Sequence, residues 1–212
     1  GGITFNGGAD DDVRQNSGAL LSGLVFGGDN GADVLYNTGA GVTGLVFTGG
    51  ADDDVFYNTG AALSGATFSG GADDDVLVNT ADNVSSLTFT GGADDDVLQN
   101  SGVGMLDLLF SGDAGNDRFW NRSAAVDARN LQFIGGDGDD LLLNDAGGVT
   151  GLIFTGGADD DALQNAGVNI SGLRFEGGAD DDVFVNTSAG AILDLRFGGG
   201  ADDDILQNSG TI

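Results

Sequence analysis

The chain has 212 residues, with 34 Asp and Glu residues against six Arg and no Lys. Its formal net charge of −28 argues against nucleic acids and anionic membrane surfaces as partners, since both require a basic face. The absence of Cys and His excludes disulfides and thiolate metal sites, and it removes the commonest general base. No run of about 18 apolar residues occurs, so no membrane-inserted segment is predicted.

A phenylalanine recurs along the whole chain with a nearly fixed period. Seven of the nine intervals between these residues are 21 residues long, and the other two are 23 and 22. A fixed period of this length is typical of a solenoid, in which each repeat buries its apolar side on its neighbours. We therefore predict an all-β protein, a parallel β-solenoid of ten coils. The recurring residues are Phe5, Phe26, Phe47, Phe68, Phe89, Phe110, Phe133, Phe154, Phe175 and Phe197.

The third coil illustrates the elements that are predicted in chain order. Leu45 and Phe47 have the period-two alternation of a strand, a glycine pair then breaks the chain, and residues 55–58 form a second short strand. Four columns should point inward. The first two are the Leu two residues before each Phe (Ala66 in one coil) and the Phe itself. The third is a Leu or Phe in the second strand, and the fourth is a Val, Leu, Ile or Met five or six positions after the Asn that ends that strand. Arg14 interrupts the third of these columns in the first coil.

An asparagine stands eleven residues after each of these phenylalanines. Stacked amides can hydrogen-bond along a fibre axis, so this column predicts a structural ladder rather than a ligand site. Its members are Asn16, Asn37, Asn58, Asn79, Asn100, Asn121, Asn144, Asn165, Asn186 and Asn208.

The turn between the two strands is rich in Gly and Asp, most often Gly-Gly-Ala-Asp-Asp-Asp. Its last residue is aspartate in all ten coils, and we call these residues the third-Asp column: Asp12, Asp33, Asp54, Asp75, Asp96, Asp117, Asp140, Asp161, Asp182 and Asp204. Stacking at about 4.8 Å makes neighbouring carboxylates repel by about 0.9 kcal/mol in water, or about 3.5 kcal/mol at an effective dielectric near 20. A fold stabilised by about 5–15 kcal/mol needs these charges neutralised. Hard divalent cations can neutralise them, because Ca²⁺ accepts six to eight oxygen ligands in flexible geometry.

At this turn the chain resembles the RTX, or haemolysin-type, calcium-binding repeats, whose nonapeptide is Gly-Gly-x-Gly-x-Asp-x-U-x with U a large apolar residue. The seventh coil matches this motif at residues 135–142, and the second and sixth coils match except at the second Gly. Seven coils carry Asp at the third Gly, a position that we expect to be left-handed, which Asp tolerates. We call these residues the first-Asp column: Asp10, Asp52, Asp73, Asp94, Asp159, Asp180 and Asp202.

The resemblance implies a right-handed β-roll with Ca²⁺ held between successive coils by the motif Asp and by turn carbonyls. Carried over to this chain, it makes the third-Asp column the carboxylate ligands and the first-Asp column additional or alternative ligands. The resemblance covers about nine of each 21 residues, and the second half of each coil lacks the acidic turn. Calcium is therefore expected along one edge only. The alternative is a solvated acidic edge that merely resists aggregation.

Strand alternation also predicts outward-facing columns in the second strand. One contains Val13, Val34, Val55, Val76, Val97, Val183 and Ile205, and the other contains Gln15, Tyr36, Tyr57, Val78, Gln99, Trp120, Leu143, Gln164, Val185 and Gln207. These columns form a lateral contact, or they simply stiffen the strands, as β-branched residues do, or a flattened coil buries both sides of the strand. Residues 118–130 hold three of the six arginines, the only Trp and a two-residue insertion, and they are a candidate docking site.

These features favour a non-enzymatic, calcium-stiffened solenoid from a secreted or cell-surface protein of adhesin, sheath or surface-layer type. Its predicted partners are calcium and possible neighbouring copies or cell-surface components. We interpret residues 1–212 as a single repeat domain, an uncapped segment of a longer repetitive protein. A metal-free acidic solenoid that assembles laterally is the alternative. A polysaccharide-binding or -modifying module is disfavoured, because acid–base catalysis would rest on Asp alone.

Overall fold

The computed structural model describes residues 2–122 and 127–211, and in these residues the regular secondary structure is β-strand throughout. About ten coils stack into a β-solenoid with two parallel sheets, and each of the first eight coils contributes one strand to each sheet. This confirms the predicted fold class. In the described part of the chain, no helix is long and apolar enough to cross a membrane.

Within the described residues the first sheet has twelve strands. They are β1 (Ile3–Gly8), β3 (Leu24–Asn30), β5 (Val46–Ala51), β7 (Ser64–Gly71), β9 (Ser85–Ala93), β11 (Leu106–Ala114), β13 (Arg129–Asp137), β15 (Thr150–Ala158), β17 (Ile170–Ser171), β18 (Arg174–Gly178), β20 (Ile192–Leu193) and β21 (Arg196–Gly200). The ninth and tenth coils each contribute two short strands to this sheet, where the earlier coils contribute one.

The second sheet has ten four-residue strands. They are β2 (Val13–Asn16), β4 (Val34–Asn37), β6 (Val55–Asn58), β8 (Val76–Asn79), β10 (Val97–Asn100), β12 (Arg118–Asn121), β14 (Leu141–Asn144), β16 (Ala162–Asn165), β19 (Val183–Asn186) and β22 (Ile205–Asn208). Every strand pairs in register with the equivalent strand of the next coil, so residues of one type form straight columns along the solenoid axis.

In the interior coils, the described members of the four predicted core columns are buried between the two sheets. Val126, the predicted member of the fourth column in the sixth coil, lies outside the described residues. The phenylalanine column forms a continuous stack at its centre, where the Phe68, Phe89 and Phe110 rings lie 4.7 Å apart and nearly parallel. This spacing matches the strand spacing, so each ring covers the next as the coils stack. Leu206 was predicted to point inward but is 41% exposed, because the tenth coil is covered on one side only.

Two irregularities in the sequence leave the core in register. The rings of Phe110 and Phe133, which are 23 residues apart, still lie 4.7 Å apart, so the insertion is absorbed outside the strands. In the first coil, the guanidinium of Arg14 lies 4.1 Å from the ring centre of Phe5, a cation–π contact where other coils have an aliphatic or aromatic side chain.

The predicted asparagine ladder is also confirmed. Each Nδ2 donates to the Oδ1 of the next coil's Asn, at 2.6–3.0 Å, from Asn16 to Asn208. The interior members of the column are buried, so the ladder satisfies amides that would otherwise be costly to bury.

Candidate metal site in the acidic turns

The third-Asp column immediately precedes the strands of the second sheet, and its side chains point into the turn. Eight of its ten members are 0–1% exposed, from Asp33 to Asp182. Only Asp12 and Asp204, in the first and last coils, are partly exposed. The column is therefore a buried file of carboxylates rather than a solvated edge.

One oxygen of each of these carboxylates is used by the fold. The backbone N–H of each third Asp donates to the Oδ1 of the third Asp in the next coil, at 2.8–3.1 Å. Because this position directly precedes a strand of the second sheet, the bond extends the hydrogen bonding between successive coils from that sheet into the turn. These nine bonds explain why an acceptor side chain is needed at this position.

The other oxygen has no hydrogen-bond partner. The Oδ2 atoms of eight buried members are inaccessible and unpaired: Asp33, Asp54, Asp75, Asp96, Asp117, Asp140, Asp161 and Asp182. Leaving a buried acceptor without a partner is costly, and more so for an ionised one. These oxygens therefore require a proton or a cation.

The first glycine of each turn makes room for this oxygen. A Cβ at Gly91 would overlap the Oδ2 of Asp96 and lie 2.5 Å from its Cγ, and the same overlap recurs in the other interior coils. In the second coil, a Cβ at Gly28 would overlap the Oδ2 of Asp33 and lie 2.7 Å from the carbonyl oxygen of Gly49. A carboxylate oxygen and a turn carbonyl from the next coil therefore flank the same small space.

Burial dominates the protonation of this column. Desolvation raises the pKa of Asp96 from 3.8 to about 8, opposed by its hydrogen bond from the Asp75 amide and reinforced by the nearby carboxylates of Asp117 and Asp75. Burial likewise raises the pKa of Asp140 to about 8. It raises the pKa values of Asp54, Asp75, Asp117 and Asp161 to about 7. Burial therefore brings these pKa values close to neutral pH, where the ionised carboxylates are no longer clearly favoured over the protonated carboxyls.

A second acidic column makes hydrogen bonds in the opposite direction. We call it the second-Asp column: Asp11, Asp53, Asp74, Asp95, Asp139, Asp160, Asp181 and Asp203, with Ala32 and Asn116 at the equivalent positions of the second and sixth coils. Its Oδ1 atoms accept the backbone N–H of the following coil, as in the bond from the Asp95 amide to Asp74 at 3.0 Å. These side chains are exposed, and sequence reasoning did not assign them a role.

The first-Asp column lies on the rim of the turn and is exposed. Six of its members have positive φ angles of 70–73°, as predicted for the third-Gly position. Asp10, in the first coil, is the exception. Only the carboxylates of Asp52 and Asp73 accept backbone N–H bonds, at 3.1 and 3.3 Å.

The positions of the oxygen atoms in the turn determine which ligands a cation could have there. Within residues 2–122 and 127–211, no three acidic side chains converge to hold a metal ion. An ion here would therefore combine the unpaired Oδ2 of a third Asp with backbone carbonyl oxygens. Such a hard, all-oxygen donor set fits Ca²⁺, and the orphaned oxygen with its glycine cradle fits a bound cation. The structure brings the third-Asp column into this cradle but leaves the first-Asp column outside it.

The predicted outward columns of the second sheet do face outward, and most of their interior members are half-buried, while Tyr36 and Gln164 are exposed. Tyr36 and Tyr57 stack with ring centres 5.1 Å apart. In the candidate docking stretch, Arg122 lies over the Trp120 ring at 4.7 Å, while residues 123–126 lie outside the described part of the chain.

Comparison of the chain with protein-family models, curated proteins and solved structures finds no match. The resemblance to calcium-binding repeats therefore rests on the motif residues alone.

Proposed function

We propose that this chain is a calcium-binding structural solenoid, in which Ca²⁺ bound along the third-Asp column stabilises the stacked coils. The observation that carries the proposal is the file of eight buried Oδ2 atoms without hydrogen-bond partners. A cation between each two successive coils would coordinate these oxygens and remove the repulsion between neighbouring carboxylates.

The use of aspartate in the third-Asp column supports a requirement for its negative charge rather than for its hydrogen bond alone. In the second-Asp column, Asn116 replaces aspartate in one coil, and its Oδ1 still accepts the Asp139 amide at 2.8 Å. An asparagine could accept the same kind of bond in the third-Asp column, yet all ten coils carry aspartate there. The additional property of aspartate is its negative charge, which is costly in a buried site unless a cation is bound.

The same proposal gives the chain a structural rather than a catalytic role. Its acidic turns recur in all ten coils, whereas a catalytic site would require one local cluster that breaks the repeat. A secreted or cell-surface location, in an adhesin, sheath or surface layer, would supply calcium after export, and binding to the folded form alone would couple folding to calcium. A neutral, proton-bound file is the competing state.

Asp96→Asn tests the proposal, with Asp95→Asn as the matched control in the same turn. Both variants remove one charge and retain the Oδ1 that accepts a backbone N–H, from Asp75 at position 96 and from Asn116 at position 95, but only Asp96 belongs to the buried file. Calcium binding is measured by isothermal titration calorimetry, and thermal unfolding is followed by circular dichroism with calcium, with magnesium and with chelator.

The proposal predicts that calcium raises the unfolding temperature of the parent chain more than magnesium does. Asp96→Asn should weaken the calcium-induced rise and bind less calcium, yet it should unfold at a higher temperature than the parent in chelator. Asp95→Asn should bind calcium like the parent. Unfolding that is indifferent to calcium, or equal calcium responses of the two variants, would refute the proposal.

A further inference from the structure

The outer face of the second sheet is nearly free of charge on a strongly acidic molecule. It consists of the first and third residues of each four-residue strand, and its columns run in register from β2 to β22. We call these twenty positions the outer face. Arg118 is their only charged side chain, whereas the chain as a whole carries −28.

The equivalent face of the first sheet differs in chemistry. It bears hydroxyl groups such as Thr67 and Thr88 in the middle coils, and Arg174, Glu176 and Arg196 in the last two. Its outward positions beside the Phe column carry five aliphatic side chains: Val25, Val46, Leu109, Ile134 and Ile153. The outer face instead presents Val, Leu, Tyr and Gln, and its interior members remain partly exposed. It is therefore the least costly surface of this rod to remove from water.

We infer that the outer face is a self-association surface, on which a second copy of this chain packs face to face. A second copy is favoured by charge. At the outer face, two molecules of such high negative charge can approach each other without bringing carboxylates face to face. The area is also sufficient. Four-residue strands over ten coils give a face about 13 Å by about 48 Å, or about 600 Å² per copy. The total of about 1,200 Å² is at the lower end of specific interfaces, where weak association is typical, and we expect a dimer that forms at micromolar concentration.

Charge also selects one of the two symmetric arrangements. The acidic columns lie before each strand of the second sheet, while the position after each Asn is mostly Ser or Thr, such as Thr59 and Thr80. A two-fold axis along the strands would place both acidic edges side by side at the sheet-packing distance of about 10 Å, close to the screening length. A two-fold axis parallel to the solenoid axis places each acidic edge beside the partner's Ser/Thr edge. The geometry therefore points to a dimer with parallel solenoid axes, in which equivalent coils are adjacent.

The inference is independent of the proposed calcium sites, so it is tested in chelator and in calcium. Sedimentation equilibrium of the parent chain is compared with Val76→Glu and Thr67→Glu. Both substitutions place one carboxylate at a half-buried outward position of the fourth coil, on the second and first sheet respectively. Val76→Glu should weaken dimerisation at least tenfold with and without calcium, while Thr67→Glu should leave it unchanged.

A spin label at Ser17→Cys measures the arrangement without altering the outer face, since the chain has no cysteine and Ser17 is exposed. Equivalent labels in the dimer should lie about 20 Å apart, whereas the arrangement with opposed solenoid axes would separate them by about 43 Å. A chain that remains monomeric throughout the micromolar range, equal effects of the two Glu substitutions, or the longer label distance would overturn the inference.

Discussion

The asparagine ladder should contribute strongly to stability, and Asn100→Ala removes its central member. Asn100 is 1% exposed. Its Oδ1 accepts from the Nδ2 of Asn79 at 2.8 Å and from the backbone N–H of Gly102 at 3.2 Å. Its Nδ2 donates to the Oδ1 of Asn121 at 3.0 Å and to the Gly102 carbonyl at 3.4 Å. Truncation removes all four contacts.

The cost follows from what remains buried afterwards. The Nδ2 of Asn79 keeps its bond to the Ala81 carbonyl at 3.1 Å, but the Oδ1 of Asn121 and the N–H of Gly102 lose these partners. Net loss of about 1 kcal/mol for each inter-coil bond, with about 1–3 kcal/mol for the N–H of Gly102 left without its acceptor, gives about 3–5 kcal/mol. With a urea m-value of about 3 kcal/mol/M, the unfolding midpoint should fall by about 1–2 M.

Urea denaturation followed by circular dichroism measures this free energy of unfolding. Ser101→Ala is the control, because this neighbouring side chain is exposed and its truncation should cost less than about 0.5 kcal/mol. A loss below about 1 kcal/mol for Asn100→Ala, or similar losses for both variants, would show that the ladder does not stabilise the stack as its geometry indicates.

Two further substitutions test the packing, one in the acidic turn and one in the core. Gly91→Ala should destabilise the fold by about 1–3 kcal/mol in urea denaturation, because its Cβ would overlap the Asp96 carboxylate. The loss should shrink by at least about 0.5 kcal/mol when Asp96→Ala is already present, and additive losses would contradict this contact. Phe89→Ala should cost about 3–5 kcal/mol in the same assay, since it removes the ring stacked between Phe68 and Phe110. A loss below about 1 kcal/mol would contradict a tightly packed stack.

The sequence was sufficient to predict the features that follow directly from strand alternation and the repeat period. Alternation placed Leu45 and Phe47 in the core, and the fixed interval placed the amides of the Asn column in one ladder. The need for a left-handed residue at the third-Gly position was confirmed at Asp52 and its equivalents. In these cases one local rule, repeated in each coil, determines the structure.

The interior of the acidic turn was less predictable. Strand alternation does not extend through consecutive glycines, so the sequence alone did not show that the Asp96 side chain is buried. The opposite hydrogen-bonding directions of Asp95 and Asp96 depend on turn dihedral angles that neighbouring identical residues do not reveal. The requirement for Gly91 likewise arises from the Asp96 carboxylate across the turn rather than from backbone conformation.

The pH dependence of unfolding, measured with chelator and with calcium, tests most directly whether the buried carboxylates need a cation. Burial raises the pKa of Asp96 from 3.8 to about 8, so folding in chelator favours the protonated form. That stabilisation is complete below about pH 4 and is lost as the pH rises through about 8. The unfolding temperature in chelator should therefore fall over this range. Saturating calcium should remove or reverse the decline, because the ion binds the deprotonated form. Profiles that coincide with and without calcium would contradict the account.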